Sequence, residues 1–209
     1  MPVIMQAETI SYQWLAQHQP IITQHYSIEQ LRDKRKQLIQ QIPALIHDLS
    51  EARRAHFRQL ADEFNLAYDW VDEAFQVFHD ARQQVSLYDD VLPVLEQLKS
   101  RYHLVALTNG NADIHKTGLS RVFDRQISAA DVQAAKPDPA MFNKAMADFA
   151  VSHNETLHIG DHDIHDIWGA KQLGITSVWV NRQNQSWNTA DFQADYEISD
   201  LTGLLNILL

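Results

Sequence analysis

Three carboxylates, Asp161, Asp163 and Asp166, fall within six residues of one another in the stretch 156–174, TLHIGDHDIHDIWGAKQLG. The stretch reads as a short buried strand (Leu157, His158, Ile159), a tight acidic turn over 160–166 and a helix from about Ile167. Gly160 lets the backbone turn sharply where a side chain would clash. Carboxylates gathered at the end of a strand suit a hard cation such as Mg²⁺. That ion takes oxygen ligands and keeps waters and substrate phosphate in its shell. In a turn without chemistry, the same acids would cap and favourably charge the start of the next helix. Two other pieces add to the turn. Thr108 and Asn109 end an apolar run, and Lys136 sits in the loop Lys136-Pro137-Asp138-Pro139, stiffened by its two prolines. Phosphoryl transfer needs such a set: donors for the phosphoryl oxygens, a cation for developing charge and a metal held by carboxylates.

The elements that must position these residues are legible from periodicity. After Ser86, helix and strand patterns alternate. A helix over 90–100 buries Val91, Val94, Leu95 and Leu98. An apolar strand over 103–108 has the continuous hydrophobicity of a parallel strand covered on both faces. A turn at Asn109-Gly110 leads to a polar helix over 111–119, and a second strand follows 121–127. A helix over 140–150 precedes the 157–159 strand; further strands fall at 176–180 and 196–198. This order predicts an α/β doubly wound layer with a parallel sheet and helices on both faces. Such folds bind ligands at the carboxyl edge of the sheet, so all three chemical pieces should converge there. Residues 1–85 read as helical throughout. Pro20 closes the first helix, Ser27 with Gln30 forms a capping box, Pro43 opens a helix, and Ser50 and Asp69 cap the last two.

Composition bounds the function. The 209 residues, 45% of them apolar, suffice for one ordinary domain with a sub-domain. A formal net charge of −10 argues against a nucleic-acid or anionic-membrane surface. It does not argue against a phosphate substrate, because a bound metal reverses the local field. There is no cysteine, hence no disulfide framework and no thiolate chemistry. Neither a signal peptide nor an apolar run of ~18 residues is evident, so a cytoplasmic protein is expected. Nothing specifies an oligomeric state.

The segments LVALTNGN (104–111), AAKPDPAMF (134–142) and HIGDHDIHDIWGAKQLG (158–174) resemble, in order and separation, the second to fourth signature motifs of the haloacid dehalogenase-like hydrolase superfamily. The resemblance implies that Thr108, with Asn109 beside it, bonds the transferred phosphoryl group and that Lys136 neutralises it. It also implies that Asp161 ligates Mg²⁺, with Asp166 a second acid at the metal or in its outer shell. A zinc site from His158, His162 and Asp166 is the competing chemistry. Residues 1–85 would be an all-helical cap and 86–209 the α/β core.

The superfamily's first motif, an apolar strand ending in Asp-x-Asp, has no counterpart upstream of residue 85. The only Asp-x-Asp is Asp161-His162-Asp163. The core is therefore expected to lack its central first strand. The strands at 104–108 and 157–159 should then stand about two strand spacings apart, ~9–10 Å, or collapse into direct pairing at ~4.8 Å. The expected function is a Mg²⁺-dependent phosphatase for a small phosphorylated metabolite, such as a flavin or sugar phosphate, working through an aspartyl-phosphate. Without the nucleophile, the chain as written should be inactive. The alternatives are a non-catalytic protein that binds phosphate compounds or a partner, and a haloacid dehalogenase, which uses an Asp nucleophile without metal.

Overall fold

The computed structural model describes residues 3–187 and 189–209. The chain divides into two compact units, one holding the described residues up to Ser86 with Gly110–Thr117, the other Leu87–Asn109 with Gly118–Leu209.

The first unit is helical: α1 (Val3–His18), α2 (Pro20–His25), α3 (Ile28–Gln41), a 3₁₀ turn (Pro43–Ile46), α4 (Leu49–Glu63) and α5 (Val71–Arg82). Local chemistry sets most of these boundaries. Pro20 opens α2 at its first turn, where a missing N–H costs nothing. Ser27 and Gln30 form the reciprocal capping box at α3. At α4 the capping side chain is Asp48, accepting from Ser50 and Glu51 N–H, rather than Ser50. At α5 neither Asp69 nor any other side chain caps the helix. Leu15, Ile22, Phe57, Leu60 and Phe75 form the principal core of the unit.

The segment 111–119 is not the helix its polarity and length suggested; it runs as loop and turn. Asp113 Oδ1 accepts the His115 N–H at 2.8 Å, an alternative that diverts the backbone from helix. The segment is tied to the helical unit by Asp113 N–H to Gln83 Oε1 at 2.8 Å and by Lys116 to Asp80 at 2.8 Å.

The second unit is α/β. It contains α6 (Val91–Lys99), β1 (Val105–Thr108), β2 (Arg125–Ser128), α7 (Ala129–Val132), α8 (Ala140–Phe149) and β3 (Leu157–Gly160). A π-helical turn (Asp163–Trp168) runs directly into α9 (Gly169–Lys171), followed by β4 (Thr176–Val180), β5 (Tyr196–Ile198) and α10 (Gly203–Leu208). All strand pairs are parallel. β1 pairs with β2, Val105 opposite Arg125 and Thr108 opposite Ser128. β4 lies between β3 and β5, with Ile159 opposite Val178 and Val178 opposite Tyr196.

The five strands form two sheets rather than one. Among the described residues β1 and β3 share no ladder, so the direct pairing that could have closed the core does not occur. A cavity of about 780 Å³ is lined by 104–107 on one side and 157–161 on the other, with Leu95 and Leu98 of α6. A second, of about 560 Å³, touches Val105, Leu107, Leu157 and Ile159 from the α8 face, where Phe142 and Met146 line it. Every residue of β1 and β3 is therefore only half-buried, while Val178 in the middle of the three-stranded sheet is 0% exposed. The hydrophobicity of these strands predicted cover on both faces; the cavities leave that cover incomplete.

Candidate active site

Parallel strands place their carboxyl ends on one edge. Thr108 is the last residue of β1 and Gly160 the last of β3. Just past Thr108, the Asn109 side chain clasps the backbone of Lys136 from both directions. Its Nδ2 donates to the Lys136 carbonyl at 2.9 Å, and its Oδ1 accepts the Lys136 N–H at 2.7 Å. An amide carrying both donor and acceptor is the group suited to such a reciprocal bond. The clasp fixes the loop before α8 against the end of β1. The Lys136-Pro137 peptide in that loop is cis.

Lys136 is then directed inward. It is 8% exposed, and its Nζ donates to the Leu107 carbonyl at 3.0 Å and to Asp166 Oδ1 at 2.6 Å. Two of its three ammonium donors are thereby accounted for. Asp166, on the π-helical turn, is 6% exposed and is the hub of the site. Its Oδ1 also meets His158 Nε2 at 3.0 Å, and its Oδ2 accepts the His162 N–H at 3.1 Å. Burial alone would raise the Asp166 carboxyl, but the His158 hydrogen bond and the Lys136 charge outweigh it and hold the group well below the usual carboxylate range. His158 is pushed down by burial against the pull of Asp166, which favours the neutral ring donating its Nε2–H. Phe142 sits edge-on to that ring, centroids 4.9 Å apart.

Gly160 is required by this hub. A Cβ built there would lie 2.2 Å from Asp166 Cγ. The constraint is close approach of a side chain rather than an unusual backbone conformation. His162 also acquires a role the sequence did not disclose: its Nδ1 accepts the Ile164 and His165 N–H groups at 3.2 Å, capping the π-helical turn.

Of the residues singled out in sequence, Asn109, Lys136 and Asp166 are bonded into one constellation, and Thr108 adjoins it in the chain. Asp161 is exposed at the end of β3, its carbonyl accepting Trp179 Nε1–H at 3.1 Å. Asp161 lines the 780 Å³ cavity; Thr108 and Lys136 are not on that lining. Asp166 is drawn into the ion pair, with both oxygens already accepting. No group of three or more Asp, Glu, His or Cys side chains among the described residues is arranged to hold a metal. The zinc set His158, His162 and Asp166 accordingly does not assemble: His158 and Asp166 bond each other and His162 serves as a cap. For Mg²⁺, which needs only one or two carboxylates plus substrate oxygens and waters, the exposed carboxylate of Asp161 could serve as a ligand. His158, in sequence a member only of the competing zinc set, is instead the hydrogen-bond partner of Asp166, eight residues further along the chain.

Comparison with known proteins bears on the family of the chain. A family model described as haloacid dehalogenase-like hydrolase matches residues 26–180. The 5-amino-6-(5-phospho-D-ribitylamino)uracil phosphatase YigB of Escherichia coli (strain K12) is 26% identical, over 99% of this chain and 90% of that protein. The (S)-2-haloacid dehalogenase 4A of Burkholderia cepacia is 30% identical, over 74% of this chain and 71% of that protein. A crystal structure of a 2-haloacid dehalogenase from Pseudomonas syringae pv. Tomato DC3000 matches with a TM-score of 0.93 at 33% identity, covering 100% of this chain and 91% of that one. A carboxyl-edge constellation of Asn109, Lys136 and Asp166 on a parallel α/β framework, matched by this family over most of its length, makes the chain a member of the haloacid dehalogenase-like hydrolases.

Proposed function

We propose that the chain carries the phosphoryl-binding and charge-neutralising part of a phosphatase for a small phosphorylated metabolite. The observation that carries this reading is Lys136. It is a buried ammonium held at the carboxyl edge by the Asn109 clasp, the Leu107 carbonyl and Asp166. A cation fixed in advance stabilises charge that develops on phosphoryl oxygens without reorganising when the reaction occurs. In this reading the Thr108 hydroxyl donates to a phosphoryl oxygen, and Asp166 and His158 act as positioning residues through Lys136. Asp161 holds Mg²⁺, which when bound supplies Lewis-acid polarisation of a phosphoryl oxygen. The attacking carboxylate would belong to an Asp-x-Asp at the end of an apolar strand. The one Asp-x-Asp in this sequence lies in the turn, where Asp163 Oδ1 already accepts the Ile164 N–H at 2.8 Å. The YigB likeness favours a phosphorylated polyol or sugar, including flavin-type compounds, as substrate class. A cytoplasmic setting belongs to the same reading.

A dehalogenase is the second reading. It is favoured by the 0.93 structural match and by the withdrawal of Asp166 into its ion pair, which reduces the carboxylates offered to a metal. A paired assay separates the two. The 209-residue chain alone should show no turnover of a general phosphomonoester above background. The same chain fused behind an apolar strand ending in Asp-x-Asp should hydrolyse the ester with Mg²⁺ and stop in EDTA. EDTA-resistant release of halide from a 2-haloacid, without ester hydrolysis, would establish the dehalogenase. A robust rate from the chain alone that disappears in Asp161→Ala would place the nucleophile elsewhere in the sequence.

A further inference from the structure

The helical unit buries a cluster of charge that none of the chemistry above uses. Glu8 of α1 is 7% exposed and lies among three guanidinium groups. Arg32 donates to Oε2 through Nε at 2.9 Å and Nη2 at 2.6 Å, and Arg35 Nη2 donates to Oε1 at 2.6 Å. Arg53 of α4, 6% exposed, reaches only to 3.6 Å from Oε1, beyond hydrogen-bond distance. Its guanidinium carbon sits 3.2 Å above the centre of the Phe78 ring. Glu8 is the only carboxylate within ion-pair distance of Arg53 among the described residues. Three cations thus share one anion, an imbalance that is costly where water is scarce.

One helical turn beyond Arg53, His56 is 1% exposed, and neither of its ring nitrogens has a hydrogen-bond partner among the described residues. Buried polar atoms are nearly always satisfied, so two on one ring call for an explanation. Both His56 and Arg53 line a cavity of about 20 Å³ between α1, α3 and α4, bordered also by buried Ser11. That volume admits a single small occupant.

We propose that this cavity binds one small inorganic anion of the halide class, held by Arg53 and by an N–H of His56. A water would meet the N–H of His56 but leave the surplus guanidinium charge uncompensated; an anion accepts that N–H and supplies the missing negative charge. The size of the cavity disfavours a tetrahedral oxyanion. Arg32 and Arg35 also line the cavity and are partly exposed. Burial, and the neighbouring Arg35 charge, push Arg53 well below the usual guanidinium range, a penalty that a bound anion would offset. The site lies wholly within the helical unit and does not depend on the hydrolase reading.

The test is thermal melting of the full chain at fixed ionic strength, with sodium gluconate replaced stepwise by chloride or bromide. A saturable rise in Tm of ~5–10 °C is expected at about one hundred times Kd, with no comparable rise in sulfate. Arg53→Met should abolish the rise. Crystals of the unaltered protein soaked in bromide should show an anomalous peak between Arg53 and His56, a readout that stands even where the variant fails to fold. Equal melting in chloride and gluconate, a response retained in Arg53→Met, a stronger response to sulfate, or a soaked crystal without that peak would each overturn the proposal.

Discussion

The two units hold themselves together in opposite ways. In the helical unit each backbone hydrogen bond closes within its own segment, so α3 and α4 form wherever their caps and apolar stripes fall. Their core is closed over Leu15, Ile22, Leu60 and Ala61, each 1% exposed or less. In the α/β unit a strand is satisfied only by another strand. β1 and β3 each find a partner on one side and face a cavity on the other, and none of their residues is fully buried. What links the two sheets at the carboxyl edge is polar: the Asn109 clasp and the Lys136–Asp166–His158 chain. Apolar packing stabilises the first unit, whereas a few directional bonds organise the functional edge of the second.

If that contrast is right, the largest effect should come from breaking the polar link. Asp166→Asn leaves Lys136 buried without its counter-charge and should cost about 3–5 kcal/mol in urea unfolding. The double variant Lys136→Met with Asp166→Leu should be far less destabilised than the sum of its single changes. Additive losses would show that the pair is not a coupled unit.

Gly160→Ala tests the same edge sterically. A Cβ 2.2 Å from Asp166 Cγ forces the carboxylate away from Lys136 and His158, for about 2–3 kcal/mol. A loss under ~0.5 kcal/mol would mean that the turn yields freely and the hub is soft.

The helical unit should show its weakness in acid. His56 is lowered to about 3 by burial and by the Arg35 and Arg53 charges, whereas an unfolded chain takes up its proton near ~6.5. A depressed histidine leaves stability intact above the unfolded value and erodes it as pH falls towards the folded one. At ~1.4 kcal/mol per unit, the descent from pH 7 to 5 should remove about 2 kcal/mol in halide-free buffer, and His56→Leu should recover that loss. An unchanged pH profile in the variant would remove His56 as the cause.

The smallest effect tests local helix formation. Ser27→Ala removes the capping box and should cost about 1 kcal/mol by urea titration, without altering the carboxyl-edge chemistry.

Much of this was legible residue by residue. The α3 capping box, the strand at Leu157 and the helices over 90–100 and 140–150 all follow from short-range signals in the chain, whereas the approach of Lys136 to the end of β1 followed only from the fold those elements predict. Other features were not. The turn at 111–119 looked helical because polarity and length do not register a side chain such as Asp113 competing for the backbone. His158 read as a strand residue and as one member of a competing zinc set, because its pairing with Asp166 is not visible in the chain. The ion pair of Asp166 with Lys136 was not legible either, since clustered carboxylates read alike whether they point outward or into an ion pair.

By itself the sequence determined the alternation of strand and helix, the helical first half and the residue types at the carboxyl edge. Those depend on periodicity, caps and turn chemistry, which act over a few positions. Only the tertiary structure decided that the strands divide into two sheets and that Gly160 must be small to admit Asp166. It alone, too, set one carboxylate among three guanidiniums beside His56. These outcomes turn on distances between residues far apart in the chain, and such distances are fixed by packing rather than by any local preference.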